Sequence, residues 1–174
     1  MKRNIIVCGL ISGAIVAVMM VTSTSLCYQS GNFEGSMVIG YATMILAFSL
    51  IFVAVRNFRD KHNGGTVTFG EAFKIGLFIS LIASTIYVLV WLVDYYLFVP
   101  DFLEKYSATM IKNVKEEGGT SAEINKTVAE MAGYKEMYKN PLFVILLTYT
   151  EILPVGLIVS LICALILKRK TVSL

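Results

Sequence analysis

The sequence predicts an all-α integral membrane protein: a four-helix bundle carrying an extracytoplasmic pair of amphipathic helices between the third and fourth spans. Three observations lead there. Hydrophobic residues make up 56% of the 174 residues and charged residues only 16%, against about 25% charged in a soluble domain. The charges gather in short blocks between long apolar runs, and mean hydropathy is +0.73. Four of those runs are long enough for a hydrocarbon core, which needs roughly 20 residues of helix. At this length one domain, 1–174, is expected.

The first span covers about residues 5–26, behind the basic pair Lys2-Arg3. A positive start, an apolar run and the small residues Ser23, Thr24 and Ser25 also imitate a secretory signal. The run exceeds the usual signal core, so an uncleaved span is preferred. Leu26 occupies the place where a lipoprotein signal requires a small residue, so Cys27 is not a lipid-modified cysteine. Along this span Gly9, Gly13 and Ala17 form a small-residue stripe that lets another helix approach closely. It serves either packing inside the bundle or homodimerisation.

The second span covers about residues 37–55 and ends at Arg56, Arg59 and Lys61, which sit well beside anionic headgroups. Asn63-Gly64-Gly65 predicts a tight turn. Thr68 with Glu71 predicts a capping box, so the third helix starts before its apolar span at 75–99. Phe69 and Phe73, one turn apart, are placed against the membrane surface.

Residues 100–140 predict two helices of about 15 residues. Asp101 with Glu104 is a relative of the capping box, and Leu103, Tyr106, Met110, Ile111 and Val114 recur at helical spacing. Gly118-Gly119 interrupts. Thr120 with Glu123 caps a second helix whose apolar face runs through Ile124, Val128, Met131 and Tyr138. The two helices pack together or lie on the outer interface, and they either cap the outer ends of spans three and four or form a dedicated binding surface. The fourth span is 141–167, followed by Lys168-Arg169-Lys170.

Lys and Arg set the orientation. Two precede the first span, four lie between spans two and three, and three follow span four, while the connector between spans one and two holds only Glu34. Both termini are therefore expected in the cytoplasm. The 100–140 segment, whose six Lys are diluted by seven acidic residues, is expected outside.

The connector pattern Arg59-Asp60, Gly64-Gly65, Phe69, Ala72-Phe73 and Gly76 resembles the bacterial family called domain of unknown function 4199, found mainly in Bacteroidetes. Pro100-Asp101-Phe102 and the stretch from Glu151 to Gly156 before a basic tail are also similar, so the likeness covers nearly the whole chain. It implies a four-span bacterial inner-membrane protein and no assigned activity.

Catalytic motifs are lacking. No GxSxG, HExxH or P-loop pattern occurs, and Gly64-Gly65 lacks the Gly-Lys-Ser/Thr ending of a phosphate cradle. His62 is the only histidine, and Cys8, Cys27 and Cys163 suit neither a disulfide framework nor a metal site. The chain is read as a non-enzyme without cofactor or metal. The basic residues flank apolar spans, so nucleic acid is not a partner; the bilayer is, together with a second copy or an unidentified membrane protein.

The candidate polar site is intramembrane. Glu151 falls inside TYTEILPVG, where an ionised, unpaired carboxylate costs about 2.5–3.5 kcal/mol on insertion scales. It lies ten residues beyond Pro141, about 15 Å along a helix, and Asp94 lies six before Pro100, about 9 Å. The two carboxylates are thus expected at similar depth, with Tyr95 and Trp91 beside one and Tyr149 beside the other. Pro154 removes the N–H that would pair with the Thr150 carbonyl, opening the backbone near Glu151. Two readings follow: a polar contact that joins helices, in a protein acting by packing or partner interaction, or a proton or cation site in an oligomeric transporter or channel. A short echo, GLIS at 9–12 and GLFIS at 76–80, hints at related hairpins. Cysteines placed at Lys2 and Asn63 should label from the cytoplasm and at Gly118 from outside. Labelling of Gly118→Cys only after permeabilisation would reverse the orientation.

Overall fold

The computed structural model describes residues 2–31, 33 and 36–169; Glu34 and Lys170 lie outside them. The chain forms α1 (Lys2–Ser30), α2 (Ser36–Phe48), α3 (Leu50–His62), α4 (Phe69–Leu97), α5 (Phe102–Glu116), α6 (Ser121–Tyr138) and α7 (Pro141–Leu167). Four segments are long and apolar enough to cross a membrane: α1, α2 with α3 as one span, α4 and α7. They carry apolar side chains all round, as helices with lipid on one side and protein on the other must. Ile6, Leu10, Leu46, Leu89 and Leu165 all present exposed apolar surface.

The second span is interrupted at Ser49. Its N–H reaches the carbonyls of Ile45 (3.0 Å) and Leu46 (3.2 Å), and its hydroxyl donates to Leu46 (2.6 Å). This shared bonding tightens one turn without ending the span. The third span starts at Phe69 because both halves of the Thr68–Glu71 capping box form, with the Thr68 N–H donating to Glu71 Oε2 at 2.9 Å. At α7 the Asn140 side chain accepts from the Leu142 N–H and Pro141 occupies the first turn, where its missing donor is harmless.

Helix α4 is the axis, with α1 on one side and α7 on the other. Against α7 the packing is reciprocal: Gly76 faces Ser160 and Ser80 faces Gly156. A Cβ at Gly76 would lie 2.5 Å from Ser160 Oγ, and one at Gly156 would lie 2.6 Å from Ser80 Oγ. The two serine hydroxyls stand 3.3 Å apart, and Ser160 also donates to the Gly156 carbonyl. GLFIS at 76–80 therefore pairs with GLIVS at 156–160, a partner that the echo with 9–12 did not reveal. Residues 9–12 lie on the other side: Gly9 faces Ile82, Gly13 faces Ile86 and Ala83, and Ser12 donates to the Ala47 carbonyl. Around these contacts Phe48, Ile51, Ile75, Ile79 and Ile152 are fully buried.

At the basic end Gly64 and Gly65 take positive φ (59° and 81°), as the turn requires. Val67 and Arg169 exchange backbone hydrogen bonds of 3.1 and 2.8 Å, tying the connector to the end of α7. Phe69 and Phe73 stack with centroids 6.1 Å apart. At the other end α5 and α6 follow the spacing read above, with two differences. Asp101 makes no side-chain cap, because Tyr28 takes its carboxylate. Val128 is exposed, and the inward face of α6 runs through Ile124, Thr127, Met131 and Tyr138. The α6 capping box of Thr120 and Glu123 does form.

Gly76→Val or Gly156→Val should lower stability by about 1–3 kcal/mol through overpacking. Gly40→Ala, whose Cβ would meet nothing within 4 Å, should leave it unchanged or raised. Thermal unfolding in detergent followed by circular dichroism measures the contrast.

Candidate functional site

Away from the basic end the small residues between helices give way to large ones, and the spans separate. The space between them is a cavity of about 460 Å³. Met19, Met20 and Thr24 of α1 form one wall, and Gly40, Tyr41 and Met44 of α2 another. Tyr87 and Trp91 come from α4, with Thr148 and Glu151 from α7. Phe102 and Tyr106 of α5 and Met131, Tyr134 and Tyr138 of α6 complete the roof.

The chemistry of the lining is uneven. Eight of its residues are aromatic and four are methionine, half of the protein's eight. Among the described residues Glu151 is the only lining residue that can carry a full charge at neutral pH, and no described Lys, Arg or His joins the lining. Its carboxylate is both accessible and surrounded: the residue has exposed surface because it forms cavity wall, yet protein atoms crowd around it. Tyr87 lies close enough to Glu151 to interact with its carboxyl group, and Tyr41 and Tyr138 lie close to Tyr87 in turn.

The aromatic groups hold one another. The Trp91 ring lies 5.8 Å from that of Tyr95 and meets Phe102 edge-on at 5.3 Å. Phe33, in the connector after α1, meets Phe102 and Tyr106 edge-on at 5.5 and 5.6 Å. Such pairs add about 0.5–1.5 kcal/mol each beyond area burial. A polar clamp fixes the same corner: Tyr28 donates to Asp101, and Lys105 Nζ lies 3.4 Å from the centroid of the Tyr28 ring and 3.5 Å from Asp101 Oδ2. Helix α6 is tied by Tyr96, whose hydroxyl donates to the Tyr138 carbonyl at 3.3 Å.

The residues singled out from sequence are dispersed. Glu151 lies in the cavity wall, but Asp94 does not line it. Asp94 is 6% exposed, and its Oδ2 has no hydrogen-bond partner among the described residues. The cavity therefore brings Glu151 together with Tyr87 and leaves Asp94 out. Tyr95 belongs to an aromatic cluster, edge-on to Tyr96 and Tyr138 at 5.1 Å each. Tyr149 points the other way and bonds Thr85 Oγ1 at 2.8 Å. Thr148 and Thr150 turn their hydroxyls onto Val144 and Leu147 carbonyls of their own helix, so none of the three serves Glu151. Gly9, Gly13 and Ala17 face inward, the glycines onto α4 of the same chain. Tyr87 was missed, although it stands one turn before Trp91 and so shares its face.

Fold and site together define a multi-pass, all-helical membrane protein with an aromatic-rich cavity beneath two short helices, lined by one acid among the described residues. The chain belongs to the DUF4199 family, described as protein of unknown function, whose profile matches residues 8–169. No curated protein and no solved structure matches it.

The roof clamp carries a pH dependence. The Tyr28 hydroxyl, and after it the Lys105 ammonium, hold the Asp101 carboxyl below its usual range. A depressed folded-state value means that the clamp's contribution is complete above the ordinary aspartate value, about 3.9. It is lost as pH falls through the depressed value. Carboxyl-carbon NMR should show Asp101 titrating below that value, and Tyr28→Phe should move it back up.

Proposed function

We propose that this protein is a non-catalytic binding protein of a bacterial inner membrane, with both termini cytoplasmic and the α5–α6 roof outside. Partner interaction takes place at the cavity, where a small apolar molecule is taken up beside Glu151. One observation carries this reading: among the described residues a single carboxylate, Glu151, forms part of a cavity wall made mostly of aromatic, methionine and small hydroxyl side chains. A carboxylate that only joined helices would need no such space. The cavity falls within the about 300–1,000 Å³ common for small-molecule sites.

The rival reading, proton- or cation-coupled transport by an oligomer, draws support from the same carboxylate beside the Pro154 break. It needs a path to the basic end. There Gly156, Ser80 and Phe48 are in contact so close that one added Cβ would collide, and Ile79 and Ile152 are fully buried. A path would require α4 and α7 to part, so one-sided binding fits the packing better.

Trp91 is the only tryptophan and lines the cavity, which makes it a built-in reporter. In proteoliposomes, the neutral probe N-phenyl-1-naphthylamine should show saturable energy transfer from Trp91. Gly40→Phe, which projects a ring into the cavity, should abolish the saturable part; an identical signal in both would exclude cavity binding. Proton flux should be equal in the parent protein and Glu151→Gln. Flux present in the parent and lost in Glu151→Gln would favour the transporter.

A further inference from the structure

The lining constrains more than size. A ligand with a phosphate, sulfate or carboxylate would meet no basic side chain among the residues that surround the cavity, and it would sit against Glu151. A neutral apolar ligand would leave the carboxylate without a counter-charge. A cation supplies one. The rings beside Glu151 suit it as well, because aromatic faces attract ammonium groups, most strongly when water is excluded. Tyr41, Tyr87, Trp91 and Tyr138 line the same cavity as the carboxylate. Methionine side chains at Met19, Met20, Met44 and Met131 offer an adaptable apolar surface for the remainder of a ligand.

We propose, on the basis of the binding reading above, that the cavity's ligand is a lipophilic monocation: a protonated amine or quaternary ammonium joined to an apolar body. The charged nitrogen sits between the Glu151 carboxylate and the rings of Tyr87 and Trp91. The apolar body lies along the methionines of α1 and α2. Charge selects the head and the apolar walls retain the body. A zwitterionic phospholipid is disfavoured, since its phosphate would meet hydroxyls but no cationic partner among the described lining residues, and would sit against Glu151.

The test uses the full chain in phosphatidylcholine liposomes, with Trp91 emission as readout. Four decyl compounds differ only in the head: decyltrimethylammonium, decyl maltoside, decyl sulfate and decylphosphocholine, each below its micellar concentration. Decyltrimethylammonium should give a saturable change at a concentration at least about tenfold lower than the other three, the scale of one desolvated cation–π contact. Glu151→Gln should remove that preference and leave binding at the level of the maltoside. Glu151→Asp, which keeps the charge, should retain it, and this separates charge selection from misfolding. Equal binding of all four compounds, tighter binding of the sulfate or phosphocholine, or a preference that survives Glu151→Gln overturns the monocation. Any of these leaves cavity binding standing. No saturable change with any compound overturns cavity binding itself, and the monocation with it.

Discussion

The close approach of α4 and α7 is the contact on which the remaining structure depends. Gly76 against Ser160 and Ser80 against Gly156 remove side-chain bulk on both helices at once. Inside a bilayer, where lipid is as apolar as leucine, such packing is what holds helices together. Gly9 and Gly13 do the same for α1 on the opposite side of α4. Three helices are thereby locked together toward the basic end of the bundle. The second span fills the remaining side, with Phe48 and Ile51 wholly enclosed.

That arrangement also creates the cavity. Beyond Ser84 the inward positions of α4 become Tyr87, Trp91 and Tyr95, and side chains of that size cannot be accommodated at glycine-like separation. The helices part, and α5 and α6 cover the gap. The roof is held by unlike forces at its two edges. Aromatic edges and the Tyr28–Asp101–Lys105 clamp pin α5 to the end of α1, whereas α6 is held by Met131, Tyr138 and the bond from Tyr96. Glu151 and Tyr87 both face this cavity, and a carboxylate inside a span is costly unless a polar group or water accompanies it.

Much of the fold was legible beforehand because its signals are local. The span 141–167 coincides with α7, since Asn140, Pro141 and the apolar run mark its limits without help from other helices. The two Thr–Glu capping boxes and the glycine turn at 64–65 likewise depend on residues three or fewer apart. Asp101 behaved differently: its sequence context suits a cap, but a phenol from the end of α1, 73 residues away, takes its carboxylate. The site was half legible. Glu151 stands out in any hydropathy reading, whereas its partner is one tyrosine among nine, chosen by how α4 and α7 rotate against each other.

By itself the sequence determined that this is a four-span membrane protein with a helical insertion at 100–140, because hydropathy, caps and glycine turns act within a helix or between its neighbours along the chain. Only the tertiary structure decided that the glycine stripe of α1 faces α4, that GLFIS meets GLIVS, and that Glu151 shares its cavity with Tyr87 and not with Asp94. Those outcomes depend on the rotation and axial offset of whole helices. Such quantities are set by interlocking side chains across the bundle, and no local spacing encodes them.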